Sequence, residues 1–149
     1  MMECVTAASV ITYLSKIESD SAKLYEQWGK LHEKLRDPFE AFAKANKKNE
    51  QRVKRAYYSV VSDALETGFC FKDLRADIVI PEFNKGASVS EVLNLAAKLE
   101  EEIQDFYVKA ANSSRALLPD VPRQMDKVSQ ERSKRLEQLQ AMAASNPQG

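Results

Sequence analysis

Apolar side chains recur along the chain at alternating steps of three and four residues, the spacing that lines one face of an α-helix. The first run is Leu14, Ile17, Ser21, Leu24, Trp28, Leu31 and Leu35, and it predicts a helix over about residues 6–36. Arg36-Asp37-Pro38 breaks it. Asp37 can cap the next helix, Pro38 suits its first turn, and Glu40 completes a capping-box-like spacing. The second run is Phe39, Phe42, Asn46, Asn49, Val53, Ala56 and Val60; it ends near Glu66, with Gly68 placed as a left-handed C-cap. Ser88 and Glu91 form a capping box that opens a third helix along Val92, Ala96, Leu99, Ile103, Phe106 and Ala110. Pro119-Asp120-Val121-Pro122 separates it from a fourth, which carries Met125, Val128, Arg132, Arg135, Leu139 and Met142.

Residues 67–87 lose helical periodicity. Ile78-Val79-Ile80 could form a strand, but a lone strand has nothing to pair with. The segment reads instead as a long crossover that packs Phe69, Phe71, Leu74, Ile78, Ile80 and Phe83 on the helices. The expected architecture is all-α: one domain over 1–149, with a helical hairpin at about 6–66, the crossover at 67–87, a second hairpin at about 88–143 and a frayed tail at 144–149. A long coiled coil fits less well, because prolines cut the apolar stripe into pieces wide enough for a bundle face.

Composition narrows the chemistry. The 149 residues suit one domain that buries roughly 70% of its unfolded surface. Lys+Arg and Asp+Glu both number 22, which excludes a broadly basic nucleic-acid binder but leaves room for a local patch. His32 is the single histidine, so no site built from two imidazoles of one chain can exist. It lies near a helix end without a catalytic partner. Cys4 and Cys70 lack a CxxC spacing and fit a reducing cytosol, and Cys70, between Phe69 and Phe71, reads as a small buried hydrophobe. With no signal-peptide pattern and no apolar run near the ~18 residues of a spanning helix, a cytoplasmic location and no membrane partner are expected. No phosphate-cradling glycine loop and no GxSxG motif occur. The cluster Lys44, Lys47, Lys48, Arg52, Lys54 and Arg55, partly balanced by Glu40 and Glu50, reads as a solvated helix face, with a phosphate or acidic partner as the alternative. Tyr57-Tyr58 reads as a partner surface in which one ring packs.

The halves repeat. Ile17-Glu18 with Leu24-Tyr25 parallels Leu99-Glu100 with Phe106-Tyr107, and in both halves Tyr follows Glu by seven residues. Seven residues are almost two turns, so each Glu shares a face with its Tyr beside the seam. In the second helix of each half, Phe42, Asn49, Arg52 and Val53 parallel Met125, Arg132, Arg135 and Leu136. The stretches Lys16-Ile17-Glu18 to Leu24-Tyr25 and Ala97-Lys98-Leu99-Glu100 to Asp105-Phe106-Tyr107 resemble the rubrerythrin-like branch of the ferritin-like superfamily, over about residues 9–62 and 88–142.

That resemblance implies a ferritin-like four-helix bundle with a carboxylate-bridged di-iron site. One Glu comes from each of helices one and three, and a Glu-x-x-His pair comes from each of helices two and four. Glu18 and Glu100 match the first two ligands. The pairs are replaced, by Asn49 and Arg52 in helix two and by Arg132 and Arg135 in helix four. Shifted registers offer Glu50 and Glu131, but each would lie about 100° off the matching face. The resemblance therefore implies that guanidiniums of Arg52, Arg132 and Arg135 neutralise Glu18 and Glu100, with Asn46, Asn49, Tyr25 and Tyr107 around them. The competing arrangement leaves the carboxylates at the seam's edge and the arginines reaching water. The expected function is a metal-free, non-enzymatic binding or self-associating module. By resemblance it is a homodimer, with an unidentified protein partner and no cofactor; a nucleic-acid accessory bundle using the helix-two lysines is a third and less favoured reading. The alternative is an iron-dependent oxidoreductase or peroxidase with an atypical carboxylate site at Glu18 and Glu100.

Overall fold

In the computed structural model the three–four spacing becomes four long helices. The structure describes residues 4–67, 70–72, 74–114 and 120–146. In chain order these hold strand β1 (Cys4–Thr6), helix α1 (Ala7–Leu31), a 3-10 turn (Glu33–Leu35), α2 (Arg36–Thr67), β2 (Cys70–Lys72), α3 (Val89–Ser114) and α4 (Asp120–Ala144). Gly68 and Phe69, and the side chains of Tyr57, Val60, Cys70 and Phe71, lie outside the described residues.

The first helix is shorter than its periodicity predicts. It stops at Leu31, and His32 is extended at φ −125°, ψ 111°. Leu35 keeps its core position, buried in the 3-10 turn. His32 explains the early break: its Nε2 donates to the Ala87 carbonyl at 2.8 Å, tying the turn to the residue before the Ser88 cap. Asp37 and Pro38 consequently fall inside the first turn of α2, where a missing N–H costs nothing. Ser88 and Glu91 exchange two side-chain-to-backbone bonds of 3.1 Å, the reciprocal box that opens α3.

α1 and α2 run antiparallel. Trp28 meets Phe39, Tyr25 meets Phe42, Ser21 meets Asn46 and Ser15 meets Glu50 in descending order along α1. Between them Tyr25, Trp28, Phe39 and Phe42 form one aromatic cluster with centroids 5.1–6.1 Å apart. The second hairpin brings α4 along α3, and α2 abuts α4. Leu74 is buried in the connecting segment, and Ile78, Ile80 and Phe83 are half-buried against the core. Tyr13 of α1 holds this segment by accepting the Ile78 N–H at 3.0 Å.

Ile78–Ile80 form no strand. Pairing occurs elsewhere, between β1 and β2, antiparallel with Val5 opposite Phe71. It joins a segment expected to start the first helix to one expected to lie in the crossover. Among the described residues no helix is long and apolar enough to cross a membrane.

Gly29 lies where α1 comes close to the start of α2. A Cβ there would meet Arg36 Cα at 3.5 Å and Phe39 Cβ at 3.6 Å, ordinary contact distances. Gly29→Ala should therefore raise unfolding stability by about 0.5–1 kcal/mol, through reduced unfolded-state freedom. Urea denaturation checks this; a loss of stability would mean that the two helices cannot accommodate a methyl group.

Candidate functional site

The bundle interior holds charge. Glu18 on α1, Glu100 on α3, and Arg132 and Arg135 on α4 are each 0% exposed. Asn46 and Asn49 on α2 are buried beside them. Arg132 is the hub. Its Nη2 donates to Glu18 Oε1 at 2.5 Å and its Nη1 to Glu100 Oε2 at 2.6 Å, so one planar fork spans carboxylates from two helices. The guanidiniums of Arg132 and Arg135 face inward, not toward bulk water.

The tyrosines cross over. Tyr107 on α3 donates to Glu18 Oε2 at 2.6 Å, and Tyr25 on α1 donates to Glu100 Oε2 at 2.5 Å. Each hydroxyl reaches the glutamate of the opposite half of the chain. Asn46 steadies the α1 side by donating to the Glu18 carbonyl at 3.0 Å and to Ser21 Oγ at 2.7 Å.

Arg135 carries the cluster outward. Its Nη1 donates to Asn46 Oδ1 at 2.5 Å and to Glu100 Oε2 at 3.4 Å. Its Nε and Nη2 clasp Glu131 at 3.0 and 2.6 Å, and Asn49 adds a 2.8 Å bond to the same carboxylate. The guanidinium also lies 5.0 Å from the Phe42 ring centre and 5.5 Å from that of Tyr25, so the aromatic cluster supplies a cation–π floor.

Two sequence-derived assignments need correction. Arg52 is half-buried and takes no part in the cluster's hydrogen bonds; on α2 it falls at the rim of the inward face. Glu131, set aside as out of phase, is a member, because Arg135 swings sideways to meet it four residues back. The i, i+4 Glu–Arg spacing was the available signal. Glu50 stays apart, accepting from Ser15 at 2.8 Å and pairing with Lys54 at 3.4 Å.

Electrostatics follow the packing. Burial pushes the Glu18 carboxyl above its ordinary value, against the pull of Arg132, the Tyr107 hydroxyl and Arg135. Burial also opposes the charge on Glu131, but Arg135 and Arg132 outweigh it and hold that carboxyl low. Burial works against the Arg132 charge too; Glu100 and Glu18 more than compensate, and the guanidinium stays protonated. Tyr25 and Tyr107 are raised well above the phenol range, by burial first and by the facing carboxylate second. Among the described residues, Glu100 Oε1, Arg132 Nε and Asn49 Oδ1 have no hydrogen-bond partner. The cluster is thus bought at some polar cost.

A di-iron centre does not fit these residues. Metal-bridging carboxylates need cations and imidazoles between them. Here the Arg132 nitrogens occupy the space between Glu18 and Glu100, and a guanidinium cannot be deprotonated to ligate. Among the described residues no group of three or more His, Cys, Asp or Glu is arranged to hold a metal ion. No protein-family model matches the chain, nor does any curated protein or solved structure.

Removing Arg132 should be costly. Arg132→Met leaves Glu18 without a guanidinium and Glu100 with only the 3.4 Å contact to Arg135, and should lose about 3–5 kcal/mol of unfolding stability. Adding Glu18→Gln and Glu100→Gln should recover part of that loss. Additive effects in the combined variant would show that the three groups do not interact.

The tyrosines set an alkaline limit. A pKa raised in the folded state means stability intact below the unfolded value of 10.0 and lost as pH climbs through the folded one. Unfolding and the growth of phenolate absorbance from Tyr25 and Tyr107 should therefore coincide above pH 10, and Tyr25→Phe with Tyr107→Phe should flatten the decline. Full titration of all 5 tyrosines in a natively folded chain would contradict the burial described.

Proposed function

We propose that the chain is a ferritin-like bundle of the rubrerythrin-like kind in which arginine has replaced the metal centre. It works as a metal-free, non-enzymatic binding or structural module, most readily by self-association into a homodimer. The observation that carries this reading is the Arg132 fork lying between Glu18 and Glu100. Two reciprocal Tyr–Glu bonds support reading those glutamates as counterparts in a duplicated hairpin. The ligands left in place are the two whose loss was not needed to expel a metal. The groups that changed are the ones that would have closed its coordination sphere.

The same observation weighs against catalysis at this locus. Glu18, Glu100, Arg132 and Arg135 are fully buried, and each central carboxylate faces a guanidinium. A nucleophile or base would need a free lone pair and a path to substrate. Glu100 Oε1 keeps a lone pair without a partner among the described residues, but it is fully buried and has no such path.

Restoring the donors tests the reading. Wild-type protein exposed to ferrous or cobaltous ion and then desalted should retain no stoichiometric metal. The variant Asn49→Glu/Arg52→His/Arg132→Glu/Arg135→His, shown to be helical by circular dichroism, should retain about two ions per chain. About two irons per wild-type chain would overturn the proposal in favour of an oxidoreductase; failure of a folded variant to bind would remove the ferritin-like ancestry. Light scattering reports the dimer in the same samples.

A further inference from the structure

The outer face of α2 is unlike the rest of the surface. Lys44, Lys47, Lys48, Lys54 and Arg55 are exposed along it, and Arg52 is half-buried at its edge. At 100° per residue these positions fall within one side of the helix, over roughly 20 Å. Glu50 is the one carboxylate between residues 44 and 58, and it is turned toward α1, on Ser15 and Lys54. Lys44, Lys47 and Lys48 make no ion pair among the described residues. A chain of zero net charge thus presents a run of lysines on α2, with Glu26 and Glu40 beside Lys44 and Lys47.

The run leads to a groove. Lys47, Gln51, Lys54 and Tyr58 follow one another along one row of α2, and Tyr58 is 76% exposed. Beside it, between α1 and α2, lies a cleft of about 440 Å³ lined by Ile11, Thr12, Ser19, Lys54 and Tyr58. Its carboxylates are already engaged, Asp20 by Lys16 at 2.9 Å and Glu50 by Ser15 and Lys54. The cleft therefore offers an aromatic wall, one apolar side chain in Ile11, hydroxyls, and two lysines balanced by two carboxylates.

We propose that this face binds single-stranded nucleic acid. Phosphates run along Lys44, Lys47 and Lys48, and a base stacks on Tyr58 at the mouth of the cleft. Three lysines that make no ion pair among the described residues, on the same side of α2 as an exposed aromatic ring beside a cleft, match the two needs of a flexible polyanion with flat bases. An acidic protein segment would use the lysines but leave ring and cleft unexplained. A duplex would keep its bases stacked away from Tyr58. The proposal uses no residue of the buried cluster, so it stands or falls separately from the metal-free reading.

Fluorescence anisotropy with a labelled oligothymidylate of about twelve nucleotides tests it. Binding is expected at low salt, with log K falling against log salt at a slope of about −2 to −3, as for three or four phosphates on a single strand. Lys47→Glu/Lys48→Glu should weaken it at least tenfold and flatten the slope. Lys127→Glu/Lys134→Glu, the same charge change on the exposed side of α4, should alter it less than threefold. Tyr58→Ala should weaken binding about tenfold with the slope unchanged. Absence of binding, equal loss in the α4 variant, no effect of Tyr58→Ala, or equal affinity for duplex or polyglutamate would each overturn the proposal.

Discussion

A single guanidinium determines how the helices meet. Glu18 and Glu100 come from helices that share no hydrogen-bonded backbone, and both carboxylates are fully buried. Left alone they would repel in a medium that screens poorly. Arg132 turns that repulsion into a bridge, because its two terminal nitrogens serve both carboxylates from α4. Arg135 extends the bridge to α2 through Asn46 and to the aromatic cluster of the first hairpin. A one-residue slip of α4 would rotate both arginines by about 100° and lose every one of these contacts. Such a cluster adds little net stability over an apolar core of equal volume. What it supplies here is phase: the rotation of α4 about its axis is fixed by charge, where leucines alone would tolerate several packings.

The cluster is symmetric in its glutamates and tyrosines and asymmetric in its cations. Tyr25 and Tyr107 reach across to each other's glutamate. The cations come from α4 only. At the position paralleling Arg132, α2 carries Asn49, which bonds Glu131 and not a central carboxylate. Two arginines at equivalent positions would crowd one small interior, and one fork already satisfies two carboxylates. The asymmetry is therefore what a shared central charge requires of a duplicated frame.

The local features were readable in the sequence. The three–four spacing gives the helices, and Ser88 with Glu91 gives the α3 start, because both depend on neighbours within one or two turns. The doubled Glu–Tyr spacing pointed to Glu18, Glu100, Tyr25 and Tyr107 as a set. Four features were not readable, each for a physical reason. The break at His32 depends on the Ala87 carbonyl, 55 residues away in sequence. The β1–β2 ribbon joins segments far apart in the chain, and three-residue strands leave no period to detect. Arg52 missed the interior because a long side chain at the edge of a helical face can turn either way. Glu131 entered because Arg135 is long enough to reach sideways, which residue spacing alone cannot distinguish from a solvated i, i+4 pair.

The core and the surface are linked through this phase. Asn46 and Asn49 face inward because Glu18, Ser21, Arg135 and Glu131 hold their amides. With α2 so oriented, Lys44, Lys47 and Lys48 have no choice but the opposite side. Elsewhere charges of both signs alternate, as in the Lys109–Asp105 pair on α3 and the Lys16–Asp20 pair on α1. Because the interior charges are neutralised in place, the chain can meet a partner only through its outer faces. The buried arginines act on that encounter indirectly, by deciding which side chains look outward.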